Sequence, residues 1–172
     1  IYAIGGVSGS NAPGNTAVEE YDPASNTWTI RASIPTGRWG LGLVATNDGK
    51  IYAIGGHRVA HPTIVATVEM YDTATDTWVT RAAMPSSRRN RTATIGAEGK
   101  IYAIGGHDGN SGLTTVEVYD PVSNSWSTGV NMGLARGSLG VVRAANGKIY
   151  AVGGNTGGTS HNDAQELGPS PR

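Results

Sequence analysis

The sequence contains no cysteine and no phenylalanine, and both absences limit what the chain can do. Without cysteine it can form no disulfide, no thiolate metal site and no cysteine nucleophile. Without phenylalanine, all the aromatic bulk comes from 4 tryptophans and 7 tyrosines. An excess of one charge is missing too, since 13 basic residues balance 13 acidic ones. This balance argues against nucleic acid or an anionic membrane as a partner.

Long apolar runs are also missing. No stretch approaches the roughly 20 apolar residues that a membrane-spanning helix needs, and no signal peptide is recognisable. The sequence begins with Ile1 rather than Met, so we expect an excerpt or a processed product, and the compartment stays open. Its 172 residues suffice for one domain with a sizeable core.

What the sequence does contain is abundant glycine and a repeated hexapeptide. IYAIGG stands at residues 1–6, 51–56 and 101–106, and IYAVGG stands at residues 149–154. A period near 50 residues is typical of propellers and other repeat arrays. The first three copies are each followed by a tyrosine and, seven residues after it, a tryptophan: Tyr21 and Trp28, Tyr71 and Trp78, Tyr119 and Trp126.

Each repeat is predicted to form four short strands, because no 3.6-residue apolar period appears. The first strand is apolar, and Asp48-Gly49 or Asn146-Gly147 then supplies a strong hairpin signal. The hexapeptide forms the second strand, and its two glycines indicate close backbone packing. The third strand carries the tyrosine and the fourth the tryptophan. Four antiparallel strands per repeat predict propeller blades.

The double glycine after an apolar strand, followed by the spaced tyrosine and tryptophan, resembles the kelch repeat. The match covers about residues 1–154 with three complete sets. The resemblance implies an all-β, kelch-type β-propeller of four-stranded antiparallel blades. We assign residues 1–172 to one propeller domain of about three and a half blades. Full blades are expected at about 40–81 and 91–128, and partial blades at 1–31 and 138–172.

The two partial blades raise the question of how the ring closes. The first blade lacks its innermost strand, and no tyrosine or tryptophan follows the fourth hexapeptide. Glu166 is expected at the repeat position of Glu19, Glu69 and Glu117. A closed propeller needs roughly four to eight blades. The chain is therefore a fragment of a larger ring, half of a ring completed by self-association, or a four-bladed monomer, and the strand count favours the first two.

In a four-stranded meander the loops alternate between two faces. The loops between second and third strands, and those between blades, form what we call the long-loop face. This face carries six arginines and only two aspartates. The arginines are Arg38, Arg58, Arg88, Arg89, Arg91 and Arg136, and the aspartates are Asp108 and Asp163. The opposite face is acidic. Because long loops on rigid scaffolds often carry binding residues, the basic face predicts an acidic peptide or protein segment as partner.

The arginines fall into two groups. One repeat position is arginine in three blades: Arg38, Arg88 and Arg136. Either these side chains bind carbonyls and the repeat glutamate, or they form a guanidinium ring around the channel mouth. Arg89 and Arg91 have no counterparts in the other blades, so packing does not demand them. Arg91 interrupts an apolar inner strand, and Trp39 is expected to stack on a bound ligand.

The histidines add two further candidates. His57 and His107 each follow a Gly-Gly pair and are expected in surface loops. His61 lies four residues after His57, a metal-binding spacing only on a helix, and the neighbouring Pro62 argues against one. The candidate binding residues are therefore Arg38, Trp39, His57, Arg88, Arg89, Arg91, His107 and Arg136. No catalytic residue, metal ligand or cofactor is predicted.

Two classes of function remain. The kelch resemblance implies a non-enzymatic protein- or ligand-binding scaffold. The alternative is a carbohydrate-active kelch enzyme such as a sialic acid mutarotase, which needs an acid–base pair near the channel. No such pair emerges from the sequence. A copper oxidase of the galactose oxidase type uses a tyrosine crosslinked to cysteine, and this chain has no cysteine. Fold alone does not decide between the two classes.

Overall fold

The computed structural model describes residues 1–7, 15–58, 63–90 and 93–167, and these ranges form strands and turns. The strands are β1 (Tyr2–Ile4), β2 (Val18–Asp22), β3 (Thr27–Ile30), β4 (Gly42–Ala45), β5 (Lys50–Ile54), β6 (His57–Arg58), β7 (Thr63–Ile64), β8 (Val68–Asp72), β9 (Thr77–Arg81), β10 (Ala93–Ile95), β11 (Ile101–Ile104), β12 (Val116–Asp120), β13 (Ser125–Thr128), β14 (Gly140–Arg143), β15 (Ile149–Val152), β16 (Asn155–Thr156), β17 (Thr159–Ser160) and β18 (Ala164–Leu167). Within the described ranges, no helix is long and apolar enough to span a bilayer.

Four antiparallel sheets follow one another along the chain, and we call them the first to fourth blades. Their strand orders are β1-β2-β3, β4-β5-β8-β9, β10-β11-β12-β13 and β14-β15-β18. Two small hairpins, β6-β7 and β16-β17, extend loops of the second and fourth blades. Two blades of four strands and two of three confirm the predicted kelch-type propeller of about three and a half blades.

The tyrosine–tryptophan pair of each repeat is a cross-strand pair on the third and fourth strands. Tyr71 lies opposite Trp78, with ring centroids 5.1 Å apart. The turn between them contains Asp76 at φ 53°, in the left-handed region that Asp and Asn tolerate. Its carboxylate accepts a hydrogen bond from the Tyr71 hydroxyl at 2.6 Å. Asn26 and Asn124 hold the same turn in the first and third blades.

The core lies between blades rather than inside any one of them. Between the first and second blades, Ile4, Val18 and Ile34 pack against Ile51 and other side chains of the next sheet. Similar clusters join the second blade to the third and the third to the fourth. Each fully buried aliphatic side chain contributes about 1.5–3 kcal/mol. The hexapeptide therefore recurs because each blade meets the same packing requirement against its neighbours.

The blade tryptophans differ in burial, and one expectation about them was wrong. Their shared repeat position predicts that Trp28, Trp78 and Trp126 are all mostly buried between adjacent blades. Trp78 and Trp126 are partly buried against the preceding blade, whereas Trp28 is 56% exposed. The reason is positional, because within the described residues no blade packs against the Trp28 face of the first sheet.

Candidate functional site

The three repeat arginines lie inside the blades. Arg38, Arg88 and Arg136 are 0%, 3% and 1% exposed. The Arg38 guanidinium donates to the carbonyl oxygens of Gly55 at 2.7 Å and Ala53 at 2.9 Å, and it forms an ion pair with Glu69. This is the environment of a structural arginine. Half of the six arginines counted on the long-loop face therefore do not reach its surface.

Each buried arginine joins two successive Gly-Gly segments. The backbone carbonyl of Arg38 accepts a hydrogen bond from Gly6 at 3.0 Å, while its side chain binds Gly55 of the next blade. Arg88 likewise accepts from Gly56 at 2.8 Å and donates to Gly105 at 2.9 Å. We call this arrangement the arginine clamp.

The clamp explains why the hexapeptide ends in glycine. Gly55 has φ +60°, and a Cβ atom there would lie 2.4 Å from the carbonyl oxygen of Arg88. Burial lowers the pKa of the Arg38 guanidinium, and hydrogen bonding to Glu69 opposes that shift. A guanidinium starts from so high a pKa that it stays charged. A buried charged group is thus held entirely by carbonyls and one carboxylate.

The fourth blade forms the clamp with a different acid, which corrects the placement of Glu166. Arg136 donates to the carbonyl of Gly153 at 2.8 Å and pairs with Asp163 at 2.5 Å. Strand pairing sets Gln165 opposite Ala151, the register that Glu69 has opposite Ala53 in the second blade. The repeat glutamate position is therefore occupied by Gln165, and the expectation for Glu166 was wrong by one residue.

A central cavity of about 930 Å³ lies where the four blades converge. Residues 2–7 line it from the first blade, and Trp39 and Leu43 line it from the second. Asn90, Ala93, Ser138 and Leu139 complete the wall from the later blades. Trp39 directly follows the clamp residue Arg38, so the buried arginine fixes the backbone from which this indole projects.

Four of the predicted binding residues form two backbone pairs, and we call them the rim cluster because one of them, Trp39, lines this cavity. Trp39 and His57 exchange backbone hydrogen bonds of 3.1 and 2.8 Å, and their rings lie 5.1 Å apart. Arg89 and His107 exchange bonds of 3.1 and 3.2 Å. The Arg89 guanidinium carbon lies 5.4 Å from the Trp39 ring centroid, within cation–π range. The indole thus has both an imidazole and a guanidinium close to its ring.

The rim cluster carries positive charge at Arg89. Burial lowers the pKa of His57, and the charge of Arg89 lowers it further, so this imidazole is neutral at pH 7. Among the described residues, Arg89 forms no ion pair with a carboxylate, and its Nε atom and the Nδ1 atom of His57 have no hydrogen-bond partner. These two atoms are buried, so a ligand of the rim cluster would meet Arg89 through its terminal guanidinium nitrogens. Arg91 and His61 lie outside the described residues.

Asn90 is a site residue that the sequence pattern did not predict. Its φ is 88°, its backbone N–H donates to the Gly40 carbonyl at 2.7 Å, and it lines the cavity beside Arg89. Asparagine is among the few residues that adopt a positive φ readily, and this was the available signal. Asp108 stabilises its own loop, because its carboxylate accepts hydrogen bonds from the backbone N–H groups of Asn110 and Ser111. In the described part of the chain, no group of three or more His, Asp or Glu residues could hold a metal ion.

Comparison with known proteins agrees with this architecture. The model of the KLHDC2/KLHL20/DRC7 Kelch-repeats domain matches residues 1–170. The solved structure of YjhT superimposes with a TM-score of 0.75 at 19% identity, over 88% of this chain and 49% of that one. The chain thus spans about half the length of YjhT, and at this identity the likeness concerns the fold alone. No curated protein matches the sequence.

Proposed function

Because this chain belongs to the kelch-repeat family, whose domains generally mediate protein interactions, we propose that it is a non-enzymatic scaffold that binds an acidic protein segment on its long-loop face. One observation carries the proposal. The guanidinium of Arg89 lies over the Trp39 indole beside the central cavity, and among the described residues it has no carboxylate partner.

The chemistry of the rim cluster suits a carboxylate on an extended segment. A guanidinium can bind a carboxylate through two parallel hydrogen bonds. Trp39 offers an apolar surface beside it, and the Asn90 side chain offers an amide donor. Each exposed ion pair contributes only about 0.2–1 kcal/mol, so several contacts must act together. The clamp residues Arg38, Arg88 and Arg136 then act as positioning residues that hold these loops.

The test is a titration of the chain with a labelled glutamate-rich peptide, followed by fluorescence anisotropy. Its matched control is the same peptide with glutamine in place of glutamate. Arg89→Ala should weaken binding about 2–5-fold, whereas Arg143→Ala, an exposed arginine on β14, should leave it unchanged. Binding should weaken with salt, because the Debye length falls from about 10 Å at 0.1 M to about 3 Å at 1 M. Equal affinity for the two peptides would contradict the acidic partner.

A parallel titration of the chain with N-acetylneuraminic acid examines the enzymatic alternative. A mutarotase needs an acid–base pair beside its sugar, and the described lining of the central cavity contains no carboxylate. Binding of N-acetylneuraminic acid without binding of the acidic peptide would favour that alternative over the scaffold.

We also propose that a second copy covers the open face of the first blade. On this face Ile1, Trp28 and Ile30 are 72%, 56% and 83% exposed, whereas Ile51, the counterpart of Ile1, is 7% exposed. The fourth blade exposes the opposite kind of face through Val142 and Val152, at 53% and 46%. Two complementary open faces on one chain favour a head-to-tail contact between copies.

Sedimentation velocity over a range of concentrations tests this contact. Ile30→Lys should shift the chain toward monomer, because it places a charge in the apolar face. Val122→Lys adds the same charge at a 97% exposed turn of the third blade and should have no effect. A chain that stays monomeric at every concentration would contradict the proposal.

A further inference from the structure

The hexapeptide tyrosine of the first blade belongs to a polar cluster with an arginine and a glutamate. The Glu20 carboxylate accepts hydrogen bonds from the Arg31 guanidinium at 2.8 and 2.6 Å. Tyr2 lies opposite Glu20 on the neighbouring strand, and burial and then a hydrogen bond to this carboxylate raise the pKa of the Tyr2 hydroxyl. One carboxylate therefore satisfies both a guanidinium and a phenol beside the boundary with the second blade.

The second blade keeps the tyrosine and the arginine of this cluster but not the glutamate. Strand pairing sets Tyr52 opposite Met70, where the first blade has Glu20. Arg81 occupies the repeat position of Arg31, and its Nη2 atom donates to the thioether sulfur of Met70 at 3.2 Å. A thioether sulfur is only a weak acceptor and carries no charge. The group that replaces the carboxylate therefore cannot neutralise the arginine.

Arg81 has no carboxylate partner among the side chains that the structure describes. The described ranges include all 13 aspartates and glutamates of the sequence. None of these carboxylates forms an ion pair with Arg81. The Nε atom of Arg81 is buried and has no hydrogen-bond partner. Leaving such a donor unsatisfied is unfavourable, so this guanidinium is suited to accept an external anion.

The third blade shows that the repeat does not require an arginine at this position. There both members of the pair change together, to Val118 in place of the acid and Gly129 in place of the arginine. The side chains of Val116 and Val118 fill the space, since they would lie 2.8 and 3.3 Å from a Cβ atom on Gly129. A blade without the acid can therefore pack with apolar groups alone, and packing does not explain Arg81.

The surroundings of Arg81 match those of its counterpart in the first blade. The rings of Tyr52 and Tyr119 lie 5.7 Å apart across the boundary between the second and third blades. Burial raises the pKa of both hydroxyls, and the charge of the nearby Arg81 opposes that shift. In the first blade Arg31 and Glu20 are 38% and 29% exposed, so solvent reaches this position of a blade.

From these relationships we propose that Arg81 forms a carboxylate-binding site at the boundary between the second and third blades, where a ligand takes the role that Glu20 has beside Arg31. The planar guanidinium binds the carboxylate through parallel N–H donors, and the flexible Met70 side chain moves aside. A small organic acid and an acidic side chain of a protein partner offer the same group. None of these residues belongs to the rim cluster, so the proposal does not depend on the long-loop face.

The test measures thermal unfolding while acetate replaces chloride at constant ionic strength and pH. A ligand that binds only the folded chain stabilises it by mass action, so the Tm should rise by about 2–4 °C at roughly five times the dissociation constant. Met70→Glu supplies the carboxylate internally and should abolish the rise. Val122→Glu adds the same charge at a 97% exposed turn and should retain it. No rise in the wild type, or an equal rise in Met70→Glu, would overturn the proposal.

Two further variants examine the geometry. Arg81→Met removes the cation and should also lose the acetate effect, which gives a result even where Met70→Glu does not fold. Retention of the effect in Arg81→Met would overturn the site. The double variant Met70→Glu/Glu20→Met transfers the unpaired arginine to the first blade and should regain the dependence on acetate. Lack of recovery would overturn the assignment of Glu20 as the template for the ligand.

A peptide titration identifies the source of the carboxylate. Fluorescence anisotropy with the labelled glutamate-rich peptide compares Met70→Glu with Val122→Glu, which has the same net charge. Weaker binding to Met70→Glu assigns the carboxylate to a protein partner. Equal binding to the two variants, together with the acetate effect, assigns it to a small organic acid. Arg89→Ala should keep the difference in Tm between acetate and chloride, so a failure of the rim cluster is distinguishable from a failure of this site.

Discussion

Trp78 and Ala32 are hydrogen-bonded across a blade boundary, although 46 residues separate them in the sequence. The indole donates to the Ala32 carbonyl at 2.8 Å, and the Ala32 backbone N–H donates to Asp76 at 2.8 Å. One residue of the first blade is thus held at both its polar groups by the second. Trp126 and Asn124 hold Ala82 in the same way at the next boundary.

Removing this contact should destabilise the chain. We expect Trp78→Ala to lower the free energy of unfolding by about 3 kcal/mol, because it deletes packing and leaves the Ala32 carbonyl without its donor. Trp28→Ala serves as the control. At concentrations where the chain is monomeric, it removes mainly the stacking on Tyr21, at 5.0 Å between ring centroids, which is worth about 1 kcal/mol. Urea denaturation of both variants checks the difference, and equal losses would show that the boundary contact contributes nothing.

The stability of the boundary between the first and second blades should also decrease at low pH. The hydrogen bond from Tyr71, and then that from the Ala32 N–H, lower the pKa of Asp76. A carboxyl with a depressed folded-state pKa binds fewer protons folded than unfolded. The stability that Asp76 contributes is therefore fully present above its pKa in the unfolded chain. It is lost as the pH falls through its lower pKa in the folded chain.

Asp76→Asn should remove that pH dependence. At the next boundary Asn124 accepts the two corresponding hydrogen bonds with a side chain that does not titrate. The reciprocal Asn124→Asp should introduce it there. Urea midpoints measured from neutral pH down to about pH 3 check both variants. If wild type and Asp76→Asn lose stability in parallel, Asp76 is not the titrating group.

The buried clamp acid can be compared with an exposed counterpart. Glu69 is 2% exposed and pairs with Arg38, whereas Glu19 occupies the same register of the first blade and is exposed. Glu69→Ala leaves a buried guanidinium unpaired and should cost about 3–5 kcal/mol. Glu19→Ala should stay within about 0.5 kcal/mol of wild type. Thermal or urea unfolding distinguishes these outcomes, and a tolerant Glu69→Ala would mean that carbonyls alone hold Arg38.

A pair of glycine variants separates steric from conformational cost. Gly55 and Gly99 both have positive φ, +60° and +80°. An added Cβ at Gly55 would lie 2.4 Å from the Arg88 carbonyl oxygen, while at Gly99 nothing lies within 4 Å. Gly99→Ala should cost about 1–2 kcal/mol for the left-handed backbone alone. Gly55→Ala should cost clearly more. Chemical denaturation measures both, and equal losses would exclude a clash.

Much of the fold could be predicted from residues that repeat. The hexapeptide and the Tyr71–Trp78 spacing specify a blade, because strand pairing and interblade packing impose the same demands each time. The position of Glu166 could not be predicted, since a single-residue shift in register leaves the composition of the segment unchanged. Once the repeat ended, no tyrosine or tryptophan remained to set the alignment.

The candidate site was harder to predict. Arg38 and Arg89 both stand in loops, and sequence alone does not indicate that one side chain turns inward to Gly55 while the other lies over Trp39. Trp39 precedes β4 and His57 begins β6, directly after β5. Their backbone pairing depends on the register between β4 and β5, which the sequence alone does not give. Residues without counterparts in other repeats, Trp39 and Arg89, were the useful signal.

The identity of the hexapeptides has a consequence for how the chain reaches its folded state. The hexapeptides at residues 1–6, 51–56 and 101–106 are identical, so β8 and β12 each have three chemically equivalent partners during folding. Side-chain preference cannot choose between them. Proximity along the chain must do so, because closing a short loop costs less entropy than closing one that spans a whole repeat. Exchange of hexapeptide strands between repeats is thus a misfolding route that the sequence itself leaves open.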